Sequence, residues 1–170
     1  ELPAELRGEL LRVGPNLHLP AGGGYHIFDG DGMIHQLSIG DGRAHYRNRW
    51  VETHRLKTER ALGRSHFLKI GEMKGLRGLT RIILAQLRRA LRIIDRQKGG
   101  GVANTALIYH HQRLYALHEG DQAYAVELGG DRSLETIGRS NFGDPHPTPI
   151  CAHPKIDPTT GELFYFGYDL

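Results

Sequence analysis

Short stretches that alternate apolar and polar residues, each closed by a turn of Gly, Asp or Pro, limit most strongly what this chain can fold into. Residues 33–39 alternate clearly, and Asp41-Gly42 after them is a typical two-residue hairpin turn before a return strand at 43–51. Glycine contributes 23 of 170 residues, about twice its average share, which favours many turns over a helical bundle. The sequence therefore predicts an all-β fold of short antiparallel strands, as in a sandwich, a barrel or a propeller.

The same signals predict further strands along the chain. These strands cover residues 9–13, 25–28, 106–109, 113–117, 124–128, 134–138 and 163–166. Turns are predicted between them at residues 14–16, 111–112 and 158–161, where Gly, Pro, Asn, His or Gln interrupts the apolar pattern.

One segment breaks the β pattern. Between residues 75 and 98, apolar residues recur at steps of three and four, as on one face of a helix. The stretch from Lys74 to Lys98 carries eight basic side chains and one acidic side chain, Asp95, in a chain of net charge +3. We predict an amphipathic basic helix inserted at about 75–98. A nucleic-acid partner is not expected, because such proteins spread their basic residues over a face built from several elements.

Two interpretations of this basic helix stay open. Its apolar face packs against the sheets while the arginines are solvated, or the helix from about 76 to 98 lies on an anionic membrane surface with its apolar face in the lipid. No apolar run approaches the ~20 residues that a membrane span requires. The single cysteine, Cys151, excludes a disulfide framework within the chain.

Two residues are candidates for a metal site. His153 precedes Pro154, which biases the histidine to an extended backbone and fixes its direction. Glu119 directly follows an apolar strand, and a carboxylate there could accept a hydrogen bond from a ligand histidine. From spacing alone, an ordinary turn histidine and a solvated loop glutamate remain the commoner interpretations.

Five runs, taken together and in this order, are similar to the carotenoid cleavage oxygenase family. They are residues 8–16 (GELLRVGPN), 25–35 (YHIFDGDGMIH), 103–111 (ANTALIYHH), 114–120 (LYALHEG) and 152–162 (AHPKIDPTTGE). The region from residue 48 to the helical insertion most resembles the branch that cuts carotenoids and apocarotenoids at the 9,10 and 9′,10′ double bonds.

The resemblance implies a seven-bladed β-propeller, of which residues 1–170 are the N-terminal part of a single domain. It implies a non-haem Fe(II), that is Fe(2+), bound by four histidines, three of which are hydrogen-bonded to glutamates. His153 matches the first iron ligand, and Glu119 matches the first glutamate, whose partner histidine lies beyond Leu170. Thr105 matches a threonine whose methyl group crowds an open position of the iron. Cys151 departs from the threonine that is common beside the ligand.

The resemblance also implies the activity. The full-length enzyme is expected to be a dioxygenase that cleaves a conjugated double bond of a carotenoid or apocarotenoid with O2, giving two carbonyl products, while the 170-residue piece alone is inactive. A stilbene-cleaving dioxygenase of the same fold and a non-catalytic propeller module for interactions are the alternatives. The branch resembled implies a cytoplasmic protein, at most peripheral to a membrane, and a plastid location is the alternative.

Overall fold

Antiparallel sheets with an inserted helix make up the chain, as the sequence predicts. The computed structural model describes residues 2–20, 24–91, 93–95, 98–130, 133–144 and 148–168. Within these ranges the strands form a three-stranded, a four-stranded and a two-stranded sheet.

Each sheet follows the order of the chain. The first sheet contains β1 (Gly8–Asn16), β2 (Asp31–Gly40) and β3 (Arg43–Trp50). The second contains β4 (Ala106–His110), β5 (Arg113–Leu117), β6 (Ala123–Leu128) and β7 (Leu134–Ser140). The third contains β8 (Lys155–Ile156) and β9 (Leu163–Phe164).

The two predicted two-residue hairpin turns are confirmed. Asp41 and Gly42 join β2 to β3 with φ angles of 52° and 70°. His111 and Gln112 join β4 to β5 with φ angles of 44° and 59°. In both turns, two successive residues therefore have the left-handed backbone conformation, and the twist of such a turn matches that of the paired strands.

Two local predictions are wrong. The turn at residues 14–16 is instead the end of β1, where Pro15 lies opposite Gly32 in β2. A proline is tolerated there because β1 is an edge strand of its sheet. The strand at residues 25–28 is replaced by a short 3₁₀ helix, Ile27–Asp29, because the Asp29 carboxylate accepts the backbone N–H of His26 at 2.8 Å and closes the turn.

Helices fill the connection between the first two sheets. The sequence pattern did not predict helix α1 (His54–Leu62). Thr53 caps its N-terminus, because the Thr53 Oγ1 accepts the backbone N–H of Leu56 at 3.1 Å. The helix ends at Gly63 in the left-handed conformation. A 3₁₀ helix, Ile70–Glu72, separates α1 from α2 (Gly75–Ala90).

The predicted helix at 75–98 is therefore too long. Helix α2 ends at Ala90, and residues 93–95 are not helical; Arg92, Arg96 and Gln97 lie outside the described residues. After the helix, the chain runs back to the second sheet, where the Asp121 carboxylate accepts the Gly101 N–H at 2.7 Å. A helix that continued to residue 98 would not allow this contact. A side chain at position 101 would place its Cβ 2.4 Å from the Cβ of Asp121, so glycine is required at this approach.

The second sheet packs on both faces through β5 and β6. One face joins Ala116, Tyr124 and Val126 to Ile34 and Val51 of the first sheet region. The other face packs against the segment that leads to His153, through a cluster of Tyr115, Leu117, Ala123, Ala125, Ile150 and Ala152. Because successive strand residues point to opposite faces, one sheet holds both the first sheet and the 150–152 segment in place.

Candidate functional site

The predicted carboxylate and the predicted ligand segment lie together. Glu119 follows the end of β5, and the bridge between Asp121 and Ile150 brings the 150–153 segment alongside it. The Ile150 N–H donates to the Asp121 carbonyl at 3.0 Å. The Ala152 N–H donates to Oε1 of Glu119 at 2.9 Å. The half-buried carboxylate is thus anchored to the residue that precedes His153, whose side chain is exposed.

Thr105 lies at the same end of the second sheet. It precedes β4, and its backbone N–H donates to the carbonyl of Leu117 at the end of β5 at 3.0 Å. Its hydroxyl donates to Oδ1 of Asn104 at 3.1 Å. Thr105 and Glu119 therefore lie at the end of the sheet opposite the His111–Gln112 turn, and His153 directly follows Ala152, which is bonded to Glu119.

Asn104 is a structural residue that sequence reasoning missed. It is buried, and its amide donates to the carbonyl oxygens of Phe28 at 3.0 Å and Gly30 at 2.7 Å. The amide oxygen then holds the Thr105 hydroxyl. Asn104 therefore links the Thr105 hydroxyl to the turn that precedes β2. The only sign of this role in the sequence is that an asparagine directly precedes Thr105.

His118 is a second residue that sequence reasoning missed. Its Nδ1 is buried and has no hydrogen-bond partner within the described part of the chain. Burial lowers the pKa of His118 below its ordinary value of 6.5, and this effect exceeds those of the nearby charges, of which Asp121 is the largest. A neutral imidazole therefore stands beside Glu119 at pH 7.

Asp121 secures the loop that carries these residues. Its buried carboxylate accepts the backbone N–H groups of Gly101 and Gln122, each at 2.7 Å. It also forms an ion pair with Arg139 of β7. The loop after β5 is thus tied to the chain that follows α2 and to the edge of the second sheet.

No complete metal centre is built from the described residues alone, which bring no three His, Cys, Asp or Glu side chains into a metal-binding group. His153 offers one exposed imidazole. The Glu119 carboxylate keeps lone pairs beyond the bond from Ala152, because an ionised carboxylate has about four acceptor positions. The donor chemistry of the described residues therefore fits one histidine ligand and one carboxylate beside it, not a complete set of metal ligands.

Helix α2 turns its apolar face outward. Leu76, Leu79, Ile83 and Leu87 share one face, and each is more than half exposed. The opposite face is the packed one, with Gly78 buried. A Cβ on Gly78 would lie 2.4 Å from the backbone of Met73, so the absence of a side chain permits this contact. Within the described residues, the apolar face is therefore not packed against the sheets.

Two arginines of α2 attach the helix to the rest of the chain. Arg81 forms an ion pair of 2.9 Å with Glu72, which is nearly buried. Arg88 donates to the carbonyl of His66 at 3.2 Å. Arg77 and Arg89 are exposed. Across the described residues, no helix combines the length and the hydropathy that crossing a bilayer requires.

Comparison with known proteins identifies the family. The model for the retinal pigment epithelial membrane protein family matches residues 1–170. The chain belongs to this family. Within the retinal pigment epithelial membrane protein family, it is 51% identical over 167 residues to carotenoid 9,10(9′,10′)-cleavage dioxygenase 1 of Phaseolus vulgaris, covering 98% of this chain and 31% of that protein. It is 44% identical over 172 residues to a chloroplastic 9-cis-epoxycarotenoid dioxygenase of Arabidopsis thaliana, covering 100% of this chain and 30% of that protein.

Solved structures of oxygenases agree with this assignment. The lignostilbene dioxygenase of Pseudomonas brassicacearum superimposes with a TM-score of 0.72 at 33% identity, covering 98% of this chain and 31% of that one. A variant of the Synechocystis apocarotenoid oxygenase gives a TM-score of 0.68 at 29% identity, covering 92% of this chain and 31% of that one. The family resemblance inferred from the sequence is confirmed, and the chain spans less than a third of the length of these relatives.

Proposed function

We propose that the protein containing this chain is an iron-dependent dioxygenase that cleaves a conjugated double bond of a carotenoid or apocarotenoid with O2, giving two carbonyl products. The observation that carries the proposal is the identity of 51% to a carotenoid 9,10(9′,10′)-cleavage dioxygenase along nearly the whole chain. Residues 1–170 form the N-terminal part of its single seven-bladed propeller domain. The antiparallel three- and four-stranded sheets support blades of this kind.

His153, Glu119 and Thr105 have distinct roles in this proposal. His153 is one of four histidine ligands of Fe(II), and its exposed side chain leaves the imidazole accessible to the metal ion. Glu119 accepts a hydrogen bond from a ligand histidine outside this chain, which fixes the orientation and basicity of that imidazole. Thr105, held by Asn104 at 3.1 Å, crowds an open coordination position with its methyl group.

Iron held by neutral imidazoles supplies the O2 chemistry when it is bound. The residues of this chain supply the surroundings. They fix the carboxylate through Ala152, keep His118 neutral through burial, and hold Thr105 through Asn104. A single imidazole cannot hold Fe(II) against water, so the 170-residue chain alone neither binds iron tightly nor cleaves a substrate.

The exposed face of α2 docks on a membrane in this proposal. Carotenoids partition into lipid, so an enzyme that cleaves them has to reach the bilayer. Leu76, Leu79, Ile83 and Leu87 form the apolar face that enters the interface. Arg77 and Arg89 are exposed and available to lipid phosphates, whereas Arg81 and Arg88 hold the helix in place.

A stilbene is the second candidate substrate class, because the lignostilbene dioxygenase structure is 33% identical to this chain. The higher identity to carotenoid-cleaving relatives favours the polyene. Localisation in a plastid is supported by the chloroplastic relative, and a cytoplasmic location peripheral to a membrane is the alternative. A propeller that only binds partners is the remaining alternative, and an incorporation experiment separates it from both enzymes.

The proposal is tested with the full-length protein, purified with Fe(II) and supplied with ¹⁸O2. An apocarotenal and a hydroxylated stilbene are offered separately, and products are identified by liquid chromatography and mass spectrometry. We expect two labelled carbonyl products from the apocarotenal and little turnover of the stilbene. Cleavage of the stilbene alone would support the second substrate class, and no product from either would support the non-catalytic module.

A further inference from the structure

Both oxygens of the Glu119 carboxylate have a donor. Oε1 accepts the backbone N–H of Ala152 at 2.9 Å, and Oε2 accepts the hydroxyl of Tyr168 at 2.9 Å. These bonds use two of about four acceptor positions of an ionised carboxylate. The remaining lone pairs are free for a further donor, and their directions are set by the two donors already in place.

The backbone places the Tyr168 hydroxyl firmly. The Cys151 N–H donates to the carbonyl of Phe166 at 2.9 Å, which pairs the segment before His153 with the segment after β9. Gly167 lies so close to Pro149 that a Cβ there would be 2.0 Å from the Pro149 carbonyl oxygen. The rings of Phe166 and Tyr168 stack with centroids 6.2 Å apart. Tyr168 is therefore presented to Glu119 by the same strands that present His153.

The protonation states suit this bond. The hydrogen bond to Glu119 is the largest of the effects that raise the pKa of Tyr168 above its ordinary value of 10. The phenol therefore remains protonated at neutral pH, where it donates to an acceptor carboxylate. A phenol that donates to a charged oxygen makes a stronger bond than a neutral pair does.

We propose that Tyr168 is a positioning residue that orients the Glu119 carboxylate toward the ligand histidine it supports. The terminal torsion of a glutamate side chain is broad, so one backbone donor leaves the carboxylate free to rotate. A second donor on the other oxygen fixes its plane. This inference rests on the proposed function, because it requires that Glu119 support an iron ligand.

The experiment is a double-mutant cycle in the full-length protein. Wild type, Tyr168→Phe, Glu119→Ala and the double variant are titrated with Fe(II) against a chelator, and the electron paramagnetic resonance spectrum of each ferrous–nitric oxide adduct is recorded. Tyr168→Phe is expected to weaken iron binding about tenfold. This is the low end of the ~10–100-fold range for changes to residues that support a metal ligand through hydrogen bonds. It should also change the rhombicity of the spectrum. In the Glu119→Ala background the same substitution should have no further effect.

Tyr165→Phe is the matched control, because it removes a hydroxyl three residues away on a ring that packs on Phe142, 5.9 Å between centroids. If Glu119→Ala fails to fold by circular dichroism, Glu119→Leu, which keeps the side-chain bulk but has no acceptor for the Tyr168 hydroxyl, replaces it in the cycle. If Tyr168→Phe lowers the Fe(II) affinity equally in the wild type and in the Glu119 variant, or does not lower it in the wild type, the inference is overturned. The proposed function would not be affected by that result. A wild type that binds no iron would instead overturn the proposed function, and this inference with it.

Discussion

The carboxylate of Glu119 accepts the backbone N–H of Ala152 at 2.9 Å, across 33 residues of sequence. This bond holds the loop after β5 against the segment that ends at His153. Glu119 and Ala152 are thereby fixed relative to a sheet that packs on both faces through β5 and β6. The bond therefore couples the orientation of the Glu119 carboxylate to the position of His153, the proposed iron ligand.

Replacing Glu119 by glutamine in the full-length protein should weaken iron binding without abolishing it. A glutamine oxygen can still accept the Ala152 N–H, but the amide lacks the charge that raises the basicity of a ligand histidine. We expect Fe(II) affinity to fall by ~10–100-fold, measured by chelator competition. Glu162→Gln, at an exposed carboxylate that accepts the Thr160 hydroxyl at 3.0 Å, is the control and should leave the affinity unchanged. An iron content as low as that of a variant without His153 would exclude the supporting role.

The exposed face of α2 should bind anionic vesicles. Leu79→Asp with Ile83→Asp is expected to abolish sedimentation with phosphatidylglycerol vesicles while leaving the thermal midpoint near that of the wild type, since both side chains are half exposed. Leu62→Asp, at an exposed leucine of α1, is the matched control and should bind normally. Loss of folding in the double variant would show that this face packs against protein.

The electrostatic part of that binding is tested separately. Arg77→Gln with Arg89→Gln should weaken binding at low salt by about 30-fold, because each basic residue near an anionic surface contributes ~1 kcal/mol. Arg81 and Arg88 are left unchanged because they attach the helix to Glu72 and His66. Binding to anionic vesicles that does not change between these proteins would reject the electrostatic contribution.

Half-buried His118, whose Nδ1 is buried, should make the free energy of unfolding depend on pH below neutrality. Because burial lowers its pKa in the folded state, the unfolded chain binds more protons as the pH falls. The stability contributed by neutral His118 is fully present above the pKa of the unfolded state, near 6.5. It is lost as the pH falls through 6.5 towards the lower pKa of the folded state. One such group changes the free energy of unfolding by at most about 1.4 kcal/mol per pH unit.

Urea denaturation of the full-length protein at pH 7.5 and 5.5 measures this effect. His118→Asn should lose less stability than the wild type over this interval, whereas His45→Asn, at an exposed position of β3, should lose as much as the wild type. Parallel losses in all three proteins would show that His118 is not the group responsible.

Most strands could be predicted from the sequence, because the alternation of apolar and polar residues and the turn residues that end a strand involve only neighbouring positions. These signals missed α1, whose sequence HRLKTERAL lacks an apolar stripe and is marked mainly by Thr53 before it and Gly63 after it. They found the amphipathic pattern of α2 but not its orientation. Whether an apolar face points in or out depends on packing, here on buried Gly78 and the ion pair of Arg81 with Glu72.

The candidate site depended on the family resemblance more than on sequence pattern. His153, Glu119 and Thr105 carry no local signal that separates them from turn residues, and their roles remain predictions. The bonds that join the site span long distances in sequence, 33 residues from Glu119 to Ala152 and 49 from Glu119 to Tyr168. Such pairings arise only when the sheets have packed, so spacing could not indicate them.

The most direct measurement of the central claim is the iron content and turnover of full-length protein carrying His153→Ala, with His45→Ala as the matched control at an exposed histidine. Iron is quantified by mass spectrometry, and apocarotenal cleavage is followed in the same preparations. The account predicts near-stoichiometric iron and activity in the wild type and control, and loss of both together in His153→Ala. A folded His153→Ala variant that keeps iron and turnover at the wild-type level would contradict it.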